Sequence, residues 1–166
     1  MIEGLETNTA LESLWLGKNK IETITGLETL SKIRQLDVQH NRLQEIGNGL
    51  QSLHCLSELY LAWNAIESVA GLPYPSNLST LDLTKNKLAN LEGIGIHAST
   101  LEELWISQNC FDSFESLTPL TQLTGLTCVY LEHSPISKDF EYRKTLTRMV
   151  PSLEQLDATP VNRTVY

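Results

Sequence analysis

The chain has few basic residues and few cysteines. Its 166 residues include 12 lysines and arginines against 20 aspartates and glutamates, so the formal net charge is −8. The chain therefore lacks the basic surface that is expected of a protein binding nucleic acid or an anionic membrane. The three cysteines, Cys55, Cys110 and Cys128, follow neither a zinc-binding nor a redox spacing. We interpret them as reduced thiols.

Targeting, membrane-spanning and catalytic motifs are also missing from the sequence. The first residues carry neither the basic nor the apolar segment of a secretory signal, and no apolar run is long enough to span a membrane. The sequence contains no P-loop, H-E-x-x-H, G-x-S-x-G or C-x-x-C pattern. We therefore expect a protein that is not an enzyme and that has no cofactor site and no metal site.

What the chain does contain is one pattern that occurs six times. Residues 11–21 read LESLWLGKNKI, which follows the pattern L-x-x-L-x-L-x-x-N-x-I. Equivalent segments begin at residues 33, 56, 78, 101 and 126. The steps between them are 22, 23, 22, 23 and 25 residues, and a period in this range with this consensus is typical of leucine-rich repeats. We therefore predict an α/β fold, a single leucine-rich-repeat solenoid built from 22-residue repeats.

Each repeat predicts a short strand followed by a turn. In L-x-L the two leucines point into the solenoid, and the residue between them points to the other face. The strands should stack as a parallel sheet on the concave side, and the short return segments leave room only for 3₁₀ segments on the convex side. The asparagine after each strand can donate to and accept from backbone groups that would otherwise be unpaired. This predicted ladder consists of Asn19, Asn41, Asn64, Asn86 and Asn109.

The two ends of the chain depart from the repeat. The first residues match the second half of a repeat, so we expect further repeats upstream; the alternative is a shorter protein whose end a partner covers. In the sixth repeat Ser134 replaces the ladder asparagine. A capping helix should then begin near Asp139, its expected N-cap, and end at Pro151. The predicted division is a partial repeat at 1–10, six repeats at 11–136, a C-terminal helical cap at 137–161 and a tail at 162–166.

The concave sheet is the expected binding surface. Six strands about 4.8 Å apart give a strip of roughly 25–30 Å, and no other layer of the solenoid would cover it. Aromatic side chains interleaved with carboxylates on such a strip are typical of energetically dominant contacts with a protein partner. The alternative is that the aromatic side chains only pack on one another across the strands. The predicted partner-binding residues are Trp15, Asp37, Tyr60, Asp82, Glu103, Trp105 and Tyr130.

The chain resembles one family in particular, the leucine-rich-repeat regulatory subunit of protein phosphatase 1 known as regulatory subunit 7. The resemblance is carried by LESLWLGKNKI, LSELYLAWNAIE, EELWISQN, VYLEHSPISKDFEYR and PSLEQLDATPV. It implies a non-catalytic protein of the nucleus and cytoplasm that binds the catalytic subunit of protein phosphatase 1 through its concave face. We also expect a monomer apart from that partner. By position, the resemblance gives contact roles to Trp15, Asp82, Glu103, Trp105 and Tyr130, although the family usually has phenylalanine where Trp15 stands.

The C-terminal cap leaves a second family open. A proline, a Tyr-Arg pair and a later Leu-Asp also occur in leucine-rich-repeat adaptors of the ciliary dynein and spliceosomal type. Such an adaptor is the alternative function, and the identity of the partner would separate the two. In either case an acidic and aromatic strip complements a partner surface that carries arginine or lysine.

Overall fold

The computed structural model describes residues 1–162, and its single sheet contains eight strands in sequence order. The strands are β1 (Ser13–Trp15), β2 (Gln35–Asp37), β3 (Glu58–Tyr60), β4 (Thr80–Asp82), β5 (Glu103–Trp105), β6 (Cys128–Tyr130), β7 (Gln155–Leu156) and β8 (Thr159–Pro160). The first seven pair in parallel, and β8 returns antiparallel to β7. This open parallel sheet confirms the predicted solenoid, whereas the final β7–β8 hairpin was not predicted.

The register of the sheet places equivalent repeat positions side by side. Leu36 lies between Leu14 of β1 and Leu59 of β3. These strand leucines pack with the apolar residues of the return segments in one core that runs along the solenoid. Leu36 and Leu59 are fully buried, but Leu14 is only half-buried because β1 has a neighbouring strand on one side only. Apolar burial between successive repeats therefore holds the sheet together.

The asparagine ladder is confirmed by its hydrogen bonds. The Asn86 amide nitrogen donates to the carbonyl oxygens of Leu61 and Leu83, each at 3.0 Å. Its Oδ1 accepts from the backbone N–H of Ile66 at 2.9 Å. Each internal ladder asparagine therefore ties its own repeat to the preceding one. The equivalent contacts are made by Asn41, Asn64 and Asn109.

The convex side carries short 3₁₀ helices, as predicted. They cover Ile94–His97, Glu115–Gln122 and Pro135–Lys138. The only α-helix of the part that the structure describes, α1, spans Tyr142–Met149 and packs behind the last repeat.

The predicted start of the capping helix was wrong. Asp139 is not its N-cap, because the helix begins three residues later, after Glu141. The 3₁₀ helix that precedes it, Pro135–Lys138, places Ile136 in the core and has Asp139 as its C-cap. Asp139 then stabilises the turn into α1, where its carboxylate accepts a hydrogen bond from the Glu141 N–H at 2.8 Å.

In the C-terminal cap, the carboxylate of Asp157 ties its segment to the preceding repeat, as a ladder asparagine does elsewhere. Asp157 accepts hydrogen bonds from the backbone N–H groups of Leu131 at 2.8 Å and Glu132 at 3.0 Å. The Tyr142 hydroxyl of α1 donates to its other oxygen at 3.0 Å. These bonds attach the helix and the β7–β8 hairpin to the sixth repeat. Of the tail predicted at 162–166, all but the first residue lies outside the described residues.

His97 should make the fold sensitive to mild acid. The side chain is buried, its Nε2 has no hydrogen-bond partner among residues 1–162, and burial lowers the pKa of the imidazole from 6.5. Below about pH 6.5 the unfolded chain therefore binds more protons than the folded chain, so the free energy of unfolding should fall as the pH decreases. Urea unfolding between about pH 8 and pH 5 should show a smaller decrease for His97→Gln than for the wild type. Exposed His54→Gln is the control, and parallel profiles for wild type and His97→Gln would contradict this role of His97.

Candidate protein interface

Six of the seven predicted partner-binding residues lie in one row across the sheet. Each is the last residue of its strand, and the register pairs them in sequence order from β1 to β6. The seventh, Glu103, is the first residue of β5 and lies beside Thr80 and Cys128. We call these seven residues the concave strip: Trp15, Asp37, Tyr60, Asp82, Glu103, Trp105 and Tyr130.

The concave strip is less uniformly exposed than the sequence suggests. Trp15 is 67% exposed, whereas Asp82 is only 8% exposed. The rings of Tyr60 and Trp105 approach to 6.3 Å between centroids, although β4 with Asp82 lies between their strands. Trp105 also meets Tyr130 edge to face at 6.3 Å. The aromatic side chains at this end therefore do pack across the strands, while Trp15 at the other end remains open.

Asp82 is a buried carboxylate held between aromatic side chains. Its Oδ1 accepts a hydrogen bond from the Thr84 N–H at 2.9 Å. Burial raises the pKa of Asp82 from 3.8, the negative charge of Asp37 raises it further, and the hydrogen bonds from Thr84 oppose the shift. No lysine or arginine of residues 1–162 pairs with it. A cation brought by a partner would therefore compensate a charge that the isolated fold leaves unpaired.

Replacing Asp82 by asparagine should stabilise the isolated chain at neutral pH. Because the folded-state pKa is raised, the unfolded state binds fewer protons above pH 3.8, and ionisation of Asp82 lowers stability as the pH rises through the folded-state pKa. Asparagine keeps the acceptor for Thr84 without the charge, so the free energy of unfolding at pH 7 should rise by about 1 kcal/mol. The matched control is Asp37→Asn, whose half-buried carboxylate accepts two hydrogen bonds from Gln39. Destabilisation by Asp82→Asn in urea unfolding would contradict this account.

Two polar contacts that the sequence analysis missed fix the strip in place. The Tyr60 hydroxyl donates to Glu58 at 2.6 Å, and burial followed by this hydrogen bond raises the pKa of Tyr60. At the other end the Gln155 amide of β7 donates to the Tyr130 hydroxyl at 2.6 Å. Glu58 and Gln155 both stand at the first strand position of their repeats, so alignment of the repeats would have placed them beside the strip.

Among residues 1–162 no group of three or more histidine, cysteine, aspartate or glutamate side chains is placed to hold a metal ion. The same part of the chain contains no helix that is long and apolar enough to cross a membrane.

Comparison with known protein families identifies the family to which this fold belongs. A family model described as leucine-rich repeat matches residues 52–164. The chain belongs to the leucine-rich-repeat family. Its fold is also that of a leucine-rich-repeat protein from Leptospira interrogans, with a TM-score of 0.74 and 24% identity over 89% of this chain and 37% of the other.

Two curated relatives of this leucine-rich-repeat chain carry informative names. Protein phosphatase 1 regulatory subunit pprA of Dictyostelium discoideum is 43% identical over 64 residues, which cover 38% of this chain and 18% of that protein. Protein phosphatase 1 regulatory subunit 7 of Xenopus tropicalis is 43% identical over 48 residues, or 29% of this chain and 14% of that protein. The resemblance to this family of regulatory subunits is thus supported, and the matched segments span less than a fifth of these relatives.

Proposed function

We propose that this leucine-rich-repeat chain is a non-catalytic scaffold that binds the catalytic subunit of protein phosphatase 1 through its concave strip. The observation that carries the proposal is a row of aromatic and acidic side chains across six strands, in a relative of phosphatase regulatory subunits. A location in the nucleus and cytoplasm, and a monomeric state apart from the phosphatase, stay predictions.

The charge of the concave face supports a partner with a basic surface. Strip carboxylates such as Asp37, Asp82 and Glu103 make no ion pair with any described residue. The two ion pairs found in residues 1–162, Arg42–Glu22 and Lys144–Glu141, both lie away from the strip. Lysine and arginine side chains of a partner would therefore meet unneutralised carboxylates, which favours fast and correctly oriented association.

The aromatic side chains supply the surface that a partner would bury. Trp15 offers most of its indole to solvent, and Trp105 and Tyr130 form an ordered pair at the opposite end. Tryptophan and tyrosine are enriched among the residues that dominate the free energy of protein association. Two aromatic anchors separated by carboxylates therefore suit a partner surface on which apolar pockets flank basic residues.

The proposal is tested by affinity capture from a eukaryotic lysate, with the chain as bait and captured proteins identified by mass spectrometry. We expect the catalytic subunit of protein phosphatase 1 to be enriched on the wild type relative to Trp105→Ala/Tyr130→Ala. Enrichment of axonemal or splicing proteins without the phosphatase would contradict the proposal and favour the adaptor alternative.

A further inference from the structure

A second charged surface lies beside the concave strip, at the edge where strands β1 to β4 end. Three of the four loops that follow these strands carry exposed basic residues. None of the four contains a carboxylate between its strand and the first apolar residue after the ladder asparagine. Five of the 12 lysines and arginines of the chain lie here, although the whole chain has a net charge of −8. We call this surface the basic edge; it consists of Lys18, Lys20, His40, Arg42, Trp63, Lys85 and Lys87.

The backbone of the basic edge repeats one conformation. Lys18, His40, Trp63 and Lys85 stand just before successive ladder asparagines, and their φ angles of 58°, 54°, 58° and 55° all lie in the left-handed region. Because the repeats stack in register, their side chains leave the solenoid in the same direction, about 4.8 Å apart. The side chains of the four loops thus form one continuous row about 14 Å long.

A stack of three side chains makes the row continuous. The third loop has no cation of its own, since Trp63 and Ala65 stand where the neighbouring loops have basic residues. The Lys85 ammonium lies 3.6 Å from the Trp63 ring centroid, and the His40 ring stacks on the tryptophan at 4.8 Å with an interplanar angle of 20°. A cation–π contact of this kind holds the charge of Lys85 over the third loop.

The cations of the basic edge are available to a ligand. Lys18, Lys20, Lys85 and Lys87 make no ion pair with any residue in the described range, and Arg42 reaches Glu22 only at 3.9 Å. Carboxylates border the row on both sides: Asp37 and Asp82 on the concave face, and Glu22, Glu45 and Glu67 on the return segments. These borders would repel a broad polyanion such as nucleic acid or an anionic membrane, but they leave room for one extended chain.

We infer that the basic edge binds a short acidic peptide segment of a protein partner, laid in extended conformation along the row. An extended chain rises about 3.3 Å per residue, so four to five residues span about 14 Å, with alternate side chains facing the cations. This surface is separate from the strip, and its occupant is recognised by charge. The inference therefore does not depend on the phosphatase proposal.

The experiment uses a fluorescently labelled synthetic peptide of about ten residues that alternates glutamate and serine, with binding followed by fluorescence anisotropy. We expect saturable binding by the whole chain that weakens as salt is added, because exposed charge pairs are screened. The variant Lys18→Gln/Lys85→Gln/Lys87→Gln should bind at least about tenfold more weakly. The control Lys32→Gln/Lys138→Gln/Lys144→Gln changes the net charge equally, away from the edge, and should bind like the wild type.

Three outcomes would overturn the inference. The first is an absence of saturable binding by the folded wild type at low salt. The second is an equal loss in the two lysine variants, which would mean that only net charge attracts the peptide. The third is tighter binding of a labelled single-stranded DNA of equal charge, which would assign the basic edge to nucleic acid instead.

Discussion

Replacing Trp105 and Tyr130 together by alanine should weaken binding of the protein phosphatase 1 catalytic subunit by about 100-fold or more. The two rings meet edge to face on adjacent strands, so the double change removes a whole anchor rather than one edge of it. Loss of an aromatic contact that dominates an interface costs about 2–4 kcal/mol of association free energy, and each 1.4 kcal/mol is about tenfold in affinity. Calorimetric titration of both proteins measures the change.

The matched control for this variant is Trp63→Ala. Trp63 is 45% exposed and lies on the basic edge, so its loss removes an exposed tryptophan without touching the strip. It should leave phosphatase affinity within about threefold of the wild type, since surface contacts outside an interface contribute little. Circular dichroism must show that all three proteins are folded. Equal affinities of Trp105→Ala/Tyr130→Ala and the wild type would exclude the strip as the phosphatase contact.

The second large effect concerns stability, because Asn86→Ala should reduce the free energy of unfolding by about 3 kcal/mol. Asn86 is 7% exposed, and its side chain makes four hydrogen bonds to backbone groups, three as donor and one as acceptor. Alanine would leave the buried Ile66 N–H without a partner, which costs about 1–3 kcal/mol. The carbonyl oxygens of Leu61 and Leu83 would each lose one of two asparagine donors but keep the other, from Asn64 and Asn109, and each lost hydrogen bond costs about 1 kcal/mol. Urea unfolding followed by circular dichroism measures the loss.

Asn19→Ala provides the internal comparison for the ladder. Asn19 is exposed, and its amide donates only to carbonyl oxygens of its own loop, those of Leu16 and Gly17. Its replacement should cost less than about 1 kcal/mol, because water can satisfy the same carbonyl groups. Equal losses for Asn86→Ala and Asn19→Ala would show that the ladder does not stabilise the stacking of repeats.

The repeat period determines most of the fold, and this part was predictable. A step of 22 or 23 residues brings Leu14, Leu36 and Leu59 into register, and it does the same for the ladder asparagines. The cap was harder to predict because it occurs once. The sequence favoured Asp139 as a helix N-cap, yet the core position of Ile136 continues a 3₁₀ helix through this region and delays α1.

The order of the candidate-site residues across the sheet was predictable from the sequence, but the exposure of their side chains was not. The pattern placed Tyr60, Asp82 and Trp105 on adjacent strands, and the register confirms this. Their exposure depends on ring orientations, which the repeat period does not determine. The rings of Tyr60 and Trp105 approach each other across β4, and the Asp82 carboxylate between their strands is buried, although an exposed carboxylate was expected there. The contact of Lys85 with Trp63 likewise required knowledge of the left-handed backbone that precedes each ladder asparagine.

Binding of the phosphatase by the concave strip is tested by a calorimetric titration of the unmodified chain with purified protein phosphatase 1 catalytic subunit. We expect saturable binding at one phosphatase per chain, with an affinity that decreases as salt is added because carboxylates of the strip meet basic residues. A folded chain that shows no saturable binding at low salt would contradict the claim that this concave strip, within this chain, binds the phosphatase.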